Sequence, residues 1–382
     1  MSSLTGKELT NLVRSVFPRF PEDRALAVLV DVPRAPASDN RDWKARRTLA
    51  QEWAAALGEN KSDLPLDDVR LYAYPDVGSN NADLPAEAFL LDGPPPDTAA
   101  DLGRAGLPVA FARLFAEAQL FLAPTEFSTT APLKVAAKRH GFRAATMPGF
   151  STAMIPALRV DYGEVARRVE AIRGRLEAAA GAEARFLVDG TLEYGIHFDL
   201  RFRPAHGSSG RFPEKGTAGN LPSGEAYIVP YEGEKGEPSR TEGVLPVEIG
   251  GEVVLFQVAA NRAVHVYGEG KAAAAEREHL GREPAYGNMA ELGFGVLADF
   301  GLAPVGEVLL DEKLGLHVAF GRSEHFGGAV GPKDFSSPAE VVHLDRIYIP
   351  ASQPRVGVVS VVLVFPDGRR EEIIDHGAYT IF

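Results

Sequence analysis

The sequence predicts a two-part fold: an α/β N-terminal domain over residues 1–180, and a β-rich C-terminal domain over residues 181–382 with a curved antiparallel or barrel-like sheet. Three observations predict it. A length of 382 residues fits two domains better than one. Apolar runs alternate with amphipathic segments up to about residue 180, and short alternating segments separated by Gly- and Pro-rich turns follow. Hydrophobic residues make up 45% of the chain, which is enough for two cores.

Strands and helices alternate in the first 180 residues. Ala25–Asp31 is a short continuous apolar run, as expected for a strand buried on both faces. Further strands are predicted at Val69–Ala73, Gln119–Ala123 and Arg143–Met147. Helices are predicted at Asp42–Leu57, Leu107–Phe115, Thr130–His140 and Tyr162–Ala180. This order predicts a mostly parallel sheet with helices on its faces.

From Arg185 onward the chain consists mainly of short alternating segments, the pattern of antiparallel strands. The predicted strands are Ile196–Phe202, Ala226–Val229, Val244–Ile249, Glu252–Ala259, Arg262–Tyr267, His317–Phe320, Val341–Ile349 and Val356–Phe365. Only Lys271–Leu280 and Asn288–Gly293 are expected to interrupt them as helices.

The composition excludes several classes of function. The 40 basic and 52 acidic side chains give a net charge of -12, which argues against a nucleic-acid or anionic-membrane partner. The lack of cysteine excludes disulfides, thiolate nucleophiles and cysteine-held clusters. The N-terminus has no apolar core of a signal peptide, and no apolar run approaches the roughly 18 residues of a membrane span. We therefore expect a cytoplasmic protein.

The most informative stretch runs from Asp311 to Asp345. Its last part, His343-Leu344-Asp345, lies in an apolar segment that predicts a strand. Residues two apart in a strand point to the same face, so His343 and Asp345 can reach one ion together. A His-x-Asp pair alone is a weak signal and is more often a surface or structural pair.

Glu312 and His317 lie on either side of a predicted turn at Gly315. A carboxylate and an imidazole on the two sides of a tight turn can converge on one point. Taken alone, His317 is more typical of a core histidine with a satisfied hydrogen bond. The neighbours Asp311 and Lys313 are predicted to be solvated.

Two isolated acids precede this stretch. Glu225 enters a predicted strand from a turn, either as a capped edge or as a ligand. Glu291 lies among apolar residues, and a buried carboxylate needs a cation or a proton; an arginine such as Arg282 is the alternative partner. Two imidazoles and several carboxylates form the ligand set of a divalent-metal site. The working hypothesis is a metalloenzyme with its site in the β-rich C-terminal half.

With these residues in place, the chain resembles the aminopeptidase T family of metallopeptidases. The matching blocks are NLPSGEAYIVP (220–230), NMAELGFG (288–295), DEKLGLHVAFG (311–321) and VHLDRIYI (342–349), in the same order over about 130 residues. The N-terminal half matches only in general character. The resemblance implies an α/β N-terminal domain, a β-rich C-terminal domain that carries a two-metal site, and a homodimer.

Carried over by position, the resemblance implies six metal ligands: Glu225, Glu291, Glu312, His317, His343 and Asp345. Glu291 would bridge the ions or polarise the reacting water, as a catalytic residue. The implied cofactors are two divalent metal ions, Zn, Co or Mn, and Fe suits the same ligands. The implied activity is hydrolysis of the N-terminal amide bond of a small peptide, or of a small amide.

One position departs from the family pattern. The family usually has a tyrosine shortly after the third block, where this chain has Glu324 and His325. We expect Glu324 or His325 to replace that phenol as general acid or oxyanion donor. Arg201, Arg203 and Arg211 precede Glu225 and are candidates for binding a substrate carboxylate. Exposed arginines on a strand face are the common alternative.

Two other functions stay open. Ring-cleaving dioxygenases similar to 2,5-dihydroxypyridine dioxygenase share the fold and hold one ferrous ion with two His and one Asp, which His317, His343 and Asp345 would supply. The three additional glutamates of the set favour the dinuclear hydrolase, because a mononuclear iron site does not need them together. A non-catalytic, degenerate family member is the third interpretation.

Overall fold

A computed structural model of the protein describes residues 3–382. The chain folds into two compact units. Unit 1 runs up to Ala166 and includes Ser208–Ser223, and unit 2 comprises Arg167–Gly207 and Gly224–Phe382. The single boundary near residue 180 stays a prediction, and the short returning segment adds a strand to the sheet of unit 1.

The helices are α1 (Gly6–Val16), α2 (Arg41–Glu59), α3 (Leu102–Ala105), α4 (Phe111–Glu117), α5 (Thr130–His140), α6 (Tyr162–Ala178), α7 (Lys271–Arg282) and α8 (Val308–Asp311). Helices α2, α5, α6 and α7 lie close to predicted positions, whereas α1, α3 and α8 were not predicted. Local chemistry explains several ends: Thr5 caps α1 in a capping box with Glu8, and Gly141 ends α5 with a positive φ of 81°. Within residues 3–382, none of these helices has the length and apolar composition of a membrane span.

The strands of the first half of the chain are β1 (Ala25–Val32), β2 (Asp68–Pro75), β3 (Glu87–Leu91), β4 (Gly106–Ala110), β5 (Leu120–Ala123), β6 (Arg143–Thr146), β7 (Gly181–Val188), β8 (Leu192–Asp199), β9 (Ala205–Ser208) and β10 (Ala218–Asn220). Those of the second half are β11 (Glu225–Ile228), β12 (Glu242–Ile249), β13 (Glu252–Ala259), β14 (Arg262–Tyr267), β15 (Met289–Gly295), β16 (Leu316–Gly321), β17 (His343–Ile347), β18 (Val356–Val364), β19 (Arg370–Asp375) and β20 (Ala378–Tyr379).

Unit 1 contains a mixed sheet in the order β10-β6-β5-β1-β2-β3-β4. Strand β1 is parallel to β2 and β5, and β6 is parallel to β5 and β10, so the predicted parallel core is present. The helix predicted at Leu107–Phe115 is wrong in its first half, because β4 pairs there with β3 in an antiparallel way. Pro108 explains the difference, since proline disfavours a helix interior and is tolerated in an edge strand.

Unit 2 is built on two largely antiparallel sheets. The first has the order β17-β16-β15-β11-β9, and the second has the order β14-β13-β12-β8-β7-β18-β19-β20. Aromatic rings join them: Phe256 of β13 packs against Phe320 of β16 with ring centroids 5.0 Å apart. The predicted β-rich half is therefore present, divided into two sheets.

The predicted helix at Asn288–Gly293 is wrong. Those residues form most of β15, which lies between β11 and β16 and is buried along its whole length. Met, Ala, Glu and Leu are good helix formers, but pairing with a strand on each side overrides that local preference. This correction matters because it places Glu291 in the middle of a sheet.

Candidate metal centre

One face of the first sheet of unit 2 carries the candidate ligands. Directly opposed residues of antiparallel strands share a face, and so do residues two apart in one strand. Glu291 opposes Ala319, which in turn opposes Asp345. Gly293 opposes both Tyr227 and His317. Glu225, His317 and His343 share this face by alternation or by register, whereas Glu312 lies in the turn before β16.

Small residues leave room for the larger ones on this face. A Cβ on Gly293 would lie 1.9 Å from Nε2 of His317, so the imidazole occupies the space above that glycine. A Cβ on Gly295 would lie 2.2 Å from the carbonyl carbon of Lys313, so the turn before β16 packs directly on β15. The glycines of the NMAELGFG block therefore have a steric role in the site.

Glu291 lies between the two imidazoles. Its Oε1 is 3.4 Å from Nε2 of His317, and its Oε2 is 3.2 Å from Nε2 of His343. Two groups of possible metal ligands result, and they share this carboxylate: the inner group is Glu225, Glu291 and His317, and the outer group is Glu291, His343 and Asp345. The inner group is buried, whereas His343 and Asp345 are partly exposed.

Backbone carbonyls orient both imidazoles. Nδ1 of His317 donates to the carbonyl of Gly315 at 3.2 Å, and Nδ1 of His343 donates to the carbonyl of Arg322 at 2.8 Å. A histidine that is fixed in this way presents Nε2 to its other partner, which is the usual arrangement of a metal-binding imidazole. Both Nε2 atoms face Glu291.

The two imidazoles carry positive charge beside Glu291. Burial lowers the pKa of His317 and His343, but their hydrogen bonds and charge interactions with Glu291 outweigh burial. The pKa of His317 rises to about 10 and that of His343 to about 9. Burial raises the pKa of Glu291, but the two imidazoles hold it well below its usual range.

Lys313 is a correction to the sequence analysis, because it is buried with only 2% of its surface exposed. Its Nζ donates to Oε1 of Glu225 at 2.5 Å and also to Oε1 of Glu312. Asp311 is buried too, and it accepts hydrogen bonds from the backbone N–H groups of Val305 and Gly306. Asp311 therefore stabilises a turn, and Lys313 belongs to the cluster.

Six metal ligands were expected, and Glu312 differs from the other five because it pairs with Lys313. Glu312 forms part of neither the inner nor the outer group, since its carboxylate is bound to the neighbouring ammonium. Burial, together with the charges of Glu225 and Asp345, raises the pKa of Glu312 to about 8. Burial lowers the pKa of Lys313, but the two carboxylates raise it above its usual value. Five of the six expected ligands come together, and the sixth lies beside them.

The chemistry of the cluster fits divalent ions. Four carboxylates, those of Glu225, Glu291, Glu312 and Asp345, meet one ammonium and two imidazoles. Oε2 of Glu225 is buried and forms no hydrogen bond with any group in residues 3–382, although it lies 3.5 Å from Nε2 of His317. A buried carboxylate oxygen without a donor is costly, and a cation would satisfy it.

Aromatic rings line the approach to His343. The rings of His325 and Phe326 lie 5.2 Å and 5.4 Å from its imidazole. Tyr227 packs against Phe326 at 4.8 Å and against His206 at 5.2 Å. We call these four side chains, His206, Tyr227, His325 and Phe326, the aromatic rim.

The two residues expected to replace the family tyrosine differ in their surroundings. Glu324 is exposed and forms a bidentate pair with Arg322, at 2.6 Å and 2.7 Å. His325 is exposed to a similar extent, with 32% of its side chain accessible against 38% for Glu324, but its ring belongs to the aromatic rim beside His343. Desolvation of the ring, together with the charges of His343 and Arg322, lowers its pKa to about 4, so its imidazole is neutral at pH 7. The geometry therefore favours His325 over Glu324.

The three arginines proposed for substrate binding have partners within their own units. Arg201 pairs with Asp199 and Glu237, and Arg203 pairs with Glu232. Nε of Arg211 donates to the carbonyl of Ser15. These contacts indicate structural roles.

A cavity of about 660 Å³ in unit 2 lies away from the candidate centre. It is lined mainly by apolar groups such as Leu302, Leu316 and Ile349. Leu316 precedes His317 in β16 and therefore points to the opposite face of the sheet. None of the candidate ligands lines this cavity.

Sequence analysis missed Lys313 and the aromatic rim. For Lys313 a signal existed: four acids in apolar segments need cations, and Lys313 is the basic residue inside the DEKLGLHVAFG block. The rim had no comparable signal, because His206, Tyr227 and Phe326 belong to three separate segments.

Comparisons with known proteins show the fold. No family model matches the chain, and no curated protein matches its sequence. The solved structure of 2,5-dihydroxypyridine dioxygenase from Pseudomonas putida KT2440 is similar, with 17% identity and a TM-score of 0.58 over 99% of this chain and 98% of that one. Wild-type AmpT, an aminopeptidase T from Thermus thermophilus, is similar with 15% identity and a TM-score of 0.56 over 98% of each chain. At these identities the likeness establishes a distant fold relationship to both enzymes.

Proposed function

We propose that this protein is a metal-dependent hydrolase of the aminopeptidase type that cleaves an N-terminal or small amide bond with two divalent ions. The observation that carries the proposal is the position of Glu291. Its two oxygens face two different imidazoles, so the inner and outer groups are adjacent and share one carboxylate. Shared, adjacent ion sites are typical of two-metal hydrolases.

The ions and the side chains of the site would have different roles in the reaction. When bound, the two ions supply Lewis acidity that polarises an amide carbonyl and makes water a better nucleophile at neutral pH. Glu291 belongs to both groups, so its carboxylate would lie beside the attacking water and could accept the proton that the water loses. The neutral imidazole of His325 can donate one N–H to the oxygen that becomes negative in the transition state. The aromatic rim presents ring faces beside His343 against which a small substrate could pack.

The dioxygenase alternative makes a different geometric demand. A mononuclear ferrous site would require His317, His343 and Asp345 to converge on one ion. In this structure His343 and Asp345 group with Glu291, whereas His317 groups with Glu291 and Glu225. The aromatic rim suits a ring substrate of such an enzyme. A test of function therefore needs an aromatic ring compound as well as an amide.

The test combines metal analysis with two assays. The purified protein is stripped with a chelator, reloaded with Zn, Co, Mn or Fe, and analysed for ions per chain. Hydrolysis of leucine amide and phenylalanine amide is measured beside oxygen uptake with 2,5-dihydroxypyridine. Two ions per chain and amide hydrolysis that is lost in His343→Ala support the proposal. One iron per chain with oxygen uptake supports the dioxygenase, and two bound ions with neither activity support the degenerate interpretation.

The remaining expectations accompany this proposal. A homodimer, a cytoplasmic location and a small peptide or amide as substrate stay predictions. Size-exclusion chromatography with light scattering tests the first of them directly.

A further inference from the structure

Lys313 is a positive charge built into one half of the candidate metal centre. Its ammonium binds Oε1 of Glu225 at 2.5 Å and also contacts Glu312, while 2% of the residue is exposed. The short turn Glu312–Leu314 presents it to the sheet, and Gly295 permits the close approach of that turn. The fold therefore makes specific room for this lysine beside the inner group.

The outer group has different charges around it. Asp345 lies 3.8 Å from Nε2 of His343. The arginines nearest to these residues in the sheet are paired elsewhere, Arg322 with Glu324 and Arg346 with Glu276. The two halves of the centre therefore differ in fixed positive charge, and Lys313 is the source of the difference.

We propose that Lys313 makes the two ion sites unequal, so that the outer group binds its ion first and the inner group binds the second ion more weakly. The inference rests on the proposed two-ion function and adds an order of binding to it. Lys313 occupies one oxygen of Glu225 and leaves only Oε2 for an ion. Its charge also repels a second cation at short range, where the protein interior screens charges poorly.

A purely structural role of Lys313 predicts the opposite behaviour. If the lysine only neutralised Glu225 and Glu312 to keep the ligands in place, its removal would disorder them and weaken both ions. If the lysine competes with the second ion, its removal frees two carboxylates for that ion and strengthens it. The sign of the change in the second affinity separates the two roles.

The experiment titrates Zn²⁺ into chelator-stripped protein by calorimetry, with circular dichroism as a check of folding. Wild type should bind in two steps that differ by about tenfold or more in affinity, about 1.4 kcal/mol per factor of ten. Lys313→Met keeps an unbranched side chain and removes the charge, and it should strengthen the second step by about tenfold and leave the first step nearly unchanged. Lys271→Met, an exposed change at the start of α7, is the matched control and should behave as wild type.

Each result has a defined meaning. A second step that is weaker or unchanged in Lys313→Met overturns the inference, and so do equal steps in wild type. One ion in wild type and two in Lys313→Met would support the inference while contradicting the two-ion function. One ion in both proteins overturns both statements.

A second variant tests the order of binding without altering Lys313, and it remains decisive if Lys313→Met does not fold. Asp345→Asn removes a ligand of the outer group only. It should lose the tight step and retain the weak one. Loss of the weak step with retention of the tight one would show that the inner group binds first, and it would overturn the inference.

Discussion

Two clusters of buried polar side chains, one in each unit, satisfy their hydrogen bonds in opposite ways. In unit 1, the completely buried Asp31 accepts hydrogen bonds from the backbone N–H groups of Glu126 and Phe127 and from Nε1 of Trp43, at 2.8 to 3.1 Å. In unit 2, the carboxylates of the candidate metal centre lie close together, and Oε2 of Glu225 has no donor within residues 3–382. The carboxylate of the first cluster has its donors, whereas the second cluster leaves one buried carboxylate oxygen without a donor.

The comparison shows that burial alone does not identify a functional acid. Burial raises the pKa of Asp31 to about 6, although three neutral donors surround it. Burial and like charges raise the pKa of Glu312 to about 8. A lone carboxylate with donors stabilises a fold, whereas several carboxylates around few cations cost stability that a bound ion restores.

The largest effect is expected from Glu291→Gln. A carboxamide has one oxygen, so it can serve only one of the two groups that share Glu291. We expect amide hydrolysis to fall on the order of a thousandfold and the ion content to fall from two to one per chain. Metal analysis and the leucine amide assay measure both quantities. An unchanged ion content of Glu291→Gln would contradict the proposal that this carboxylate is a ligand of both ions.

Asp31→Ala should affect stability and leave metal binding intact. The change leaves buried N–H donors without an acceptor, which costs on the order of 3 kcal/mol of unfolding free energy. Both tryptophans, Trp43 and Trp53, lie in unit 1, so urea unfolding followed by their fluorescence reports on this unit. The exposed Asp83→Ala is the control. Loss of Zn²⁺ binding in Asp31→Ala would break the distinction between the clusters.

Glu312→Gln should stabilise the ion-free protein at high pH. Glutamate in an unfolded chain titrates near ~4.3, below the folded pKa of about 8. The folded state therefore binds the additional proton between these values, and the unfolding free energy of wild type falls as pH rises through that window. The advantage of the variant should grow from pH 5 to pH 8, to on the order of 2 kcal/mol. Far-UV circular dichroism in chelator measures it, and an advantage that shrinks with rising pH would contradict the prediction.

The smallest effect is expected from Glu324→Gln. Its carboxylate pairs with Arg322 at the surface, and such pairs contribute about 1 kcal/mol or less. Hydrolysis should change by less than about twofold, whereas His325→Phe, which keeps a ring and removes the N–H donor, should lower kcat by about tenfold or more, as expected for a lost oxyanion donor. If Glu324→Gln loses activity and His325→Phe keeps it, Glu324 rather than His325 contributes to the candidate site and the prediction is wrong.

Much of the candidate site could be predicted because local pattern and chemistry agreed there. The His343-x-Asp345 pair lies in a strand with both residues on one face, as the period of two requires. Glu291 needed a partner wherever it was buried. The helix predicted around Glu291 was wrong because neighbouring strands, invisible in a local window, decided the conformation.

Local sequence patterns were enough to predict the classes of structure, to exclude several chemistries and to select acids and histidines with the chemistry of metal ligands. These follow from composition, periodicity and the cost of burying charge, all of which are local or additive. Three contacts became known only from the folded structure: Glu291 lies between His317 and His343, Lys313 binds Glu225 and Glu312, and the aromatic rim lies beside His343. Such contacts join residues that are far apart in the chain. They depend on the register between strands, and no short segment of sequence encodes that register.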